Sequence, residues 1–128
     1  MRILGIDYGT KKVGLAMTDE SGQMAFPYEV VKNDDNLLKS LVELCEEKSV
    51  AEIVIGHSIH KTGEDNVVQA AINELITDLT LETGLPIHLE PEQYTTKAAE
   101  RIQGHSKHTD ASAAAIILDS FLNKRTNS

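Results

Sequence analysis

The stretch Ile3-Leu4-Gly5-Ile6-Asp7-Tyr8-Gly9-Thr10-Lys11-Lys12-Val13-Gly14-Leu15-Ala16 governs how the rest of the chain is read. Ile3–Asp7 is short, apolar and rich in branched side chains, the pattern of a buried strand. Tyr8–Lys12 supplies a turn, and Val13–Thr18 follows closely enough to close a hairpin. Ligands of open α/β sheets gather at the carboxyl ends of strands. Asp7 ends its strand there and is the first residue with a claim to chemistry, and Gly9 lets a ligand approach the backbone beside it. The plainer reading has Asp7 hydrogen-bonding the turn's own backbone. The residue alone does not separate the two.

Working outward, Glu20-Ser21-Gly22-Gln23 is a turn and Ala25–Val31 a third strand, with Pro27 suggesting an edge position. Asn33-Asp34-Asp35 can cap a helix running to about Lys48. Leu37, Leu38, Leu41, Val42 and Cys45 share one of its faces. Glu52–Gly56 reads as a strand in the middle of a covered sheet. Glu64–Thr83 is a long helix with an apolar stripe of Val68, Ile72, Leu75, Ile76 and Leu79, stopped by Gly84 and Pro86. Pro86–Leu89 is a fifth strand. Thr95 or Thr96 caps a short helix ending near Gly104, and Thr109 caps a last helix over Asp110–Asn123. This order predicts an α/β fold: a five-stranded mixed sheet, a three-strand antiparallel meander plus two parallel strands, covered by helices. One domain is expected over residues 1–123, with 124–128 a disordered tail.

The 128 residues suit a single core. No apolar run approaches the roughly 20 residues that span a bilayer. The start, Met1-Arg2-Ile3-Leu4, reaches a glycine and an acid too soon for a signal peptide. Cys45 is the only cysteine, so no disulfide forms within the chain. These features point to a cytoplasmic protein with no membrane partner. The net charge of −8 argues against nucleic acid as a partner. Acids gathered at a metal site would account for part of it, because the bound metal neutralises them.

Asp110 is more telling than Asp7. With Ala114, Ile117 and Phe121 it occupies one helix face that is otherwise apolar and therefore packs inward. An acid in the first turn suits the helix dipole, but the dipole does not explain an acid on the inward face. Glu92 follows the fifth strand, just past Pro91, and reaches the same sheet end as Asp7 if that strand lies beside the first or fourth. Glu90 competes for the same role, and a solvated loop glutamate is the bland reading of either. Three carboxylates at one sheet end repel unless cations enter. Such an oxygen-rich set suits Mg2+ or Mn2+. Two ions roughly 4 Å apart activate a water and stabilise the leaving oxygen of a phosphodiester.

The opening stretch resembles the start of the YqgF family, Holliday junction resolvase-like proteins also described as nucleases that mature the precursor of small-subunit ribosomal RNA. Glu92-Gln93-Tyr94-Thr95-Thr96 is similar to that family's Asp-Glu-Arg-Leu-Thr-Thr motif, and Asp110-Ala111-Ser112-Ala113-Ala114 to its C-terminal Asp-Ala-x-Ala-Ala motif. Gly56 and Gly84-Leu85-Pro86 are similar too. The resemblance covers nearly the whole chain, with the motifs in the family's order. It implies an RNase H-like fold, a divalent metal, a nucleic-acid substrate, and catalytic, metal-binding acids at Asp7, Glu92 and Asp110. It prefers Glu92 to Glu90 because Glu92 keeps its distance to the threonine pair. The chain departs from the pattern at Pro91, at Gln93, and at His57-Ser58-Ile59-His60. Losing an arginine at 93 removes a phosphate or ion-pair partner.

Lys11, Lys12, Lys97, Arg101 and Lys107 lie near these acids in sequence and are expected to contact the phosphate backbone; a solvated surface is the bland fate of each. The pairs His57/His60 and His105/His108 invite a zinc reading, but no cysteine supports it. Two other functions compete. Gly5–Thr10 also resembles the first phosphate motif of sugar kinases, actin and heat-shock chaperones, which close two domains around ATP, and this chain has no length for a second. A non-catalytic ribosome-assembly or recombination factor would bind without cutting. The leading reading is a metal-dependent endonuclease acting on ribosomal RNA precursor or branched DNA, as a monomer or homodimer.

Overall fold

The computed structural model describes residues 1–56, 65–90 and 110–126; the side chains at 65–68, 110–112 and 126 lie outside that description. The elements are β1 (Arg2–Asp7), β2 (Lys12–Thr18), β3 (Ala25–Lys32), α1 (Leu37–Glu47), β4 (Val50–Gly56), α2 (Asp65–Thr83), β5 (Ile87–Leu89) and α3 (Asp110–Thr126). The five strands form one sheet in the order β3-β2-β1-β4-β5. β1 pairs antiparallel with β2, and β2 with β3; β1 and β4, and β4 and β5, run parallel. This is the mixed sheet expected from the sequence, with the fifth strand beside the fourth. The expected short helix between Thr95 and Gly104 lies outside the described residues.

The sheet separates two apolar layers. On one face Leu4, Ile6, Val13, Leu15, Met17, Ile53 and Ile55 pack against α1 and α2 through Leu37, Leu41, Leu44, Cys45, Ile72, Leu75 and Leu79. On the other, Ile3, Ala16 and Val54 meet Ala114, Ala115, Ile117, Leu118 and Leu122 of α3. Alternation along a strand sends successive side chains to opposite faces, so β1 feeds both layers. That is why β1 and β4 read as continuous apolar runs: helices cover both their faces. Of the apolar stripes anticipated on α1 and α2, Leu37, Leu41, Cys45, Ile72, Leu75 and Leu79 are buried and Leu38, Val42 and Ile76 partly so; Leu44 is an addition, and the Val68 side chain lies outside the described residues. Gly84 ends α2 at φ +69°, a left-handed cap that favours glycine.

Three local details differ from expectation. β3 is the edge strand that Pro27 suggested, and a register shift opposite Leu15/Ala16 sets Glu29 against Leu15 and Pro27 against Ala16. The bulge leaves Tyr28, not Pro27, without a cross-strand partner in the register. α1 has Asn36 at its N-cap with no side-chain cap bond; Asp34 Oδ1 accepts from the Asn36 amide at 2.9 Å one step earlier. The anticipated disordered tail is corrected in part, because α3 continues through Thr126. Lys124 and Arg125 hold Glu90 and Glu52, so the end of the helix is fastened to the sheet by charge, a signal absent from the apolar pattern.

Candidate active site

Asp7 ends β1 at the carboxyl edge of the central strand, with 8% of its surface exposed. Its side chain shares a face with Ile3 and Gly5, the face covered by α3. The residues paired with it are Gly14 on β2 and Gly56 on β4, so neither cross-strand neighbour carries a side chain. Residues opposite one another stand about 4.5–5.5 Å apart and share a face. Glycines at both positions therefore leave the ground beside the carboxylate to groups from other elements. Sequence reasoning missed this, since it requires the register; the signal available was only a glycine at 14 and another at 56.

The turn after Asp7 is held by backbone. The Tyr8 amide donates to the Gly56 carbonyl at 2.8 Å, and Asn33 Nδ2 donates to the Gly9 carbonyl at 2.7 Å. A Cβ on Gly9 would lie 2.4 Å from the Lys12 carbonyl oxygen, so the glycine is what allows the turn to fold so tightly. Asn33, expected to cap a helix, instead ties the end of β3 to this turn. Lys11 and Lys12 are exposed beside it, outside the core and open to an anionic partner.

α3 brings Asp110 to the same end. Ile117 meets Gly56 at the carboxyl end of β4, where a Cβ would lie 3.1 Å from its Cδ1. Eight residues on, Arg125 reaches Glu52 near the start of β4 at 2.8 Å. The helix therefore runs from the carboxyl toward the amino ends of the parallel strands, and its first turn, with Asp110, lies at the Asp7 end. Gly5 permits the approach: a Cβ there would lie 2.9 Å from Leu118 Cβ and 3.2 Å from the Ala114 carbonyl. The face expected to turn inward does so, with Ala114 and Ile117 fully buried and Phe121 packed against the same layer.

Glu90 lies one residue past β5, 5% exposed, its amide donating to the Ile55 carbonyl at 2.8 Å. Its carboxylate accepts from Lys124 Nζ at 2.6 Å and Ser120 Oγ at 3.1 Å. It is thus engaged by α3. Glu92, Lys97, Arg101, Lys107 and the four histidines at 57, 60, 105 and 108 lie outside the described residues, as does the Asp110 side chain. Among the described residues no group of three or more His, Cys, Asp or Glu could hold a metal ion. A metal centre at Asp7 would need further ligands, and Asp110 and Glu92 are the acids the sequence offers for it. The donor set fits: a carboxylate with small neighbours, at a strand end reached by an acid-bearing helix start, offers the hard oxygens that Mg2+ and Mn2+ prefer.

Away from this end, Glu52 makes a bidentate pair with Arg125, both bonds 2.8 Å, and meets His88 Nε2 at 3.1 Å. The Arg125 hydrogen bonds, helped by His88 and opposed by partial burial, pull the Glu52 carboxyl down to about 2. Arg125 also lies 4.6 Å over the Phe121 ring. Burial, with Glu46 adding repulsion, pushes the Cys45 thiol up to about 11, so it is a core residue and no nucleophile. No helix among the described residues is long and apolar enough to cross a membrane.

The architecture and the sequence have known counterparts. A protein from Maridesulfovibrio salexigens named "Putative pre-16S rRNA nuclease" is 36% identical, the match covering 95% of this chain and 98% of that protein. A protein of the same name from Oleidesulfovibrio alaskensis is 32% identical over 96% of this chain and 92% of its own. The fold is similar to that of Thermus thermophilus RuvC, solved in complex with a Holliday junction substrate. The TM-score is 0.68 at 18% identity, covering 98% of this chain and 96% of that one. The model of the RuvX Holliday junction resolvase family matches residues 1–124. The chain accordingly belongs to the RuvX family, the YqgF family that its opening stretch resembles, and has the RNase H-like fold of a nuclease.

Proposed function

We propose that this chain is a divalent-metal-dependent endonuclease that cuts structured nucleic acid through Asp7, Glu92 and Asp110, and that its natural substrate is the precursor of 16S ribosomal RNA. The observation carrying this reading is the buried Asp7 carboxylate, flanked across both strands by glycines, at the sheet end from which α3 descends. Asp7, Glu92 and Asp110 would hold two Mg2+ or Mn2+ ions, which when bound supply an activated water and charge for the leaving oxygen. Asp7 contributes a fixed anchor, since its strand is paired on both sides and cannot shift without breaking the sheet. Asp110 begins a helix packed closely against that strand, and a fixed support is what holds reacting groups in line. Lys11 and Lys12, joined by Lys97, Arg101 and Lys107, would grip phosphates around the cut. The cationic turn beside Asp7 answers the objection raised by the net charge of −8: local, not total, charge meets the substrate.

The family name and the likeness to RuvC favour a second substrate, branched DNA. A resolvase that cuts two strands symmetrically needs two active sites, hence a homodimer; an enzyme trimming one RNA strand works as a monomer. Purified protein in Mn2+ or Mg2+, given ribosomal RNA precursor and a four-way DNA junction in parallel, tests both. Cleavage near the mature 5′ end of the RNA supports the first substrate, and paired symmetric nicks in the junction support the second. No metal-dependent cutting of either would leave a protein that binds without hydrolysis, and the enzymatic reading would be abandoned.

A further inference from the structure

Among the described residues, Glu90 is the most buried carboxylate that the proposed chemistry leaves unused. A carboxylate 5% exposed is costly unless paired. Here Lys124 Nζ meets it at 2.6 Å and Ser120 Oγ at 3.1 Å, one helical turn apart on α3. Its backbone is equally fixed: the amide bonds Ile55, and its carbonyl oxygen lies 3.0 Å from where a Gly56 Cβ would stand. Glu90 is therefore bound to the end of β4 by its main chain and to the far half of α3 by its side chain. Gly56 is also the residue paired with Asp7. Helix, β5 terminus and Asp7 meet at one joint.

We propose that the Glu90–Lys124–Ser120 clasp is a positioning device for the reaction, setting how far α3 stands along the sheet and thus where Asp110 stands relative to Asp7. This inference rests on the metal-centre reading above. The clasp acts along the helix axis. Leu118, Ile117 and Ala114 fix the height of α3 above the sheet through apolar contact, which is non-directional and tolerates sliding. A charge-assisted hydrogen bond has a defined length and direction, so it resists sliding. Glu90 is also two residues before Glu92 in the chain, so the same clasp fixes the point from which that acid's segment departs. Glu90 and Lys124 are positioning residues here, not catalytic ones.

The test uses the full-length protein, Mn2+ as the probe, and the variants Lys124→Met, Glu90→Gln and Lys124→Arg. Mn2+ affinity is read directly by calorimetry, and the Mn2+ concentration for half-maximal cleavage is read beside it. Loss of groups that orient metal ligands lowers metal affinity by roughly 10–100-fold. Lys124→Met and Glu90→Gln are expected to weaken Mn2+ binding by about tenfold or more, with KM for nucleic acid at saturating Mn2+ unchanged. Lys124→Arg keeps the charge and donor and is expected to restore most of the affinity. Glu90→Gln keeps the Ser120 bond and guards against a variant that fails to fold. If wild-type protein binds Mn2+ and cuts, yet both variants bind it equally well, the clasp is structural only and the proposal is overturned. If Lys124→Met instead raises KM for nucleic acid with Mn2+ affinity intact, Lys124 contacts substrate and the proposal is again overturned. If wild-type protein neither binds Mn2+ nor cuts, the metal-centre reading itself has failed and the clasp falls with it.

Discussion

Gly5→Ala tests whether the seat of α3 on β1 matters to both stability and catalysis. The added Cβ would lie 2.9 Å from Leu118 Cβ and 3.2 Å from the Ala114 carbonyl. Carbon atoms rest at about 3.5–4.0 Å, so the helix must lift or slide by roughly 0.6–1 Å. Both opposing atoms are at or beside the helix backbone, so no side chain can swing away to relieve the overlap. Overpacking of this size costs about 1–3 kcal/mol, offset by roughly 0.5–1 kcal/mol because glycine is itself unfavourable within a strand. A net loss of about 1–2 kcal/mol remains. For a chain of 128 residues, unfolding entropy of roughly 2 cal/mol/K per residue converts this to a Tm fall of about 4–8 °C. The same displacement separates Asp110 from Asp7, and a misplacement of about 1 Å can cost up to 100-fold in rate. Tm by calorimetry and kcat at saturating Mn2+ are compared with Ile72→Val, a fully buried position on the opposite layer expected to cost about 0.5–1.5 kcal/mol. Gly5→Ala should lose at least tenfold in kcat and Ile72→Val less than twofold, on the same misplacement estimate. Equal kcat in the two variants at similar Tm would refute the argument that α3 registers the active site.

Four further outcomes are expected. The Glu52 carboxyl, held at about 2 against an ordinary 4.5, adds stability above pH 4.5 that is lost as pH falls toward 2, because the unfolded chain binds the proton first; Tm should fall across that window more steeply in wild type than in Arg125→Ala. Arg125→Ala should also cost about 1–2 kcal/mol near neutral pH, through the lost fork and the ring contact with Phe121, read by urea denaturation. Charge reversal of Lys11 and Lys12 should weaken nucleic-acid binding most at low salt and reduce the slope of log K against log salt by roughly 0.7–0.9 for each phosphate no longer neutralised; an unchanged slope would take these lysines out of the interface. Cys45, buried with its thiol raised to about 11, should react with a thiol reagent at neutral pH only as fast as the protein unfolds, measured by reagent uptake with and without urea.

Much of the fold was legible because its signals are local and periodic. The run Ile3–Asp7 declares a doubly covered strand, Pro27 an edge, and Gly84-Leu85-Pro86 a helix stop. The inward face of α3 could be read from Asp110, Ala114, Ile117 and Phe121, since helical spacing alone determines it. What stayed hidden depends on pairing between distant segments. The glycines at 14 and 56 acquire meaning only once the register sets them on either side of Asp7. Asn33 reads as a cap by composition, yet the turn at Gly9 offers its amide a better acceptor. The polar end of α3 looks like a fraying tail until Glu52 and Glu90, both acids within or just past strands, are found beneath it.

The central claim is that Asp7 is a ligand of a reactive metal centre. It is tested most directly by titrating Mn2+ into wild type and Asp7→Asn while following cleavage of ribosomal RNA precursor and of a DNA junction. The substitution preserves shape and removes one negative oxygen. The account predicts that the variant keeps its fold and its nucleic-acid affinity while Mn2+ binding weakens and cutting falls by roughly 100-fold or more, the scale of losing a metal's charge from a transition state. Cleavage by Asp7→Asn at the wild-type rate, with the same Mn2+ requirement, would contradict it.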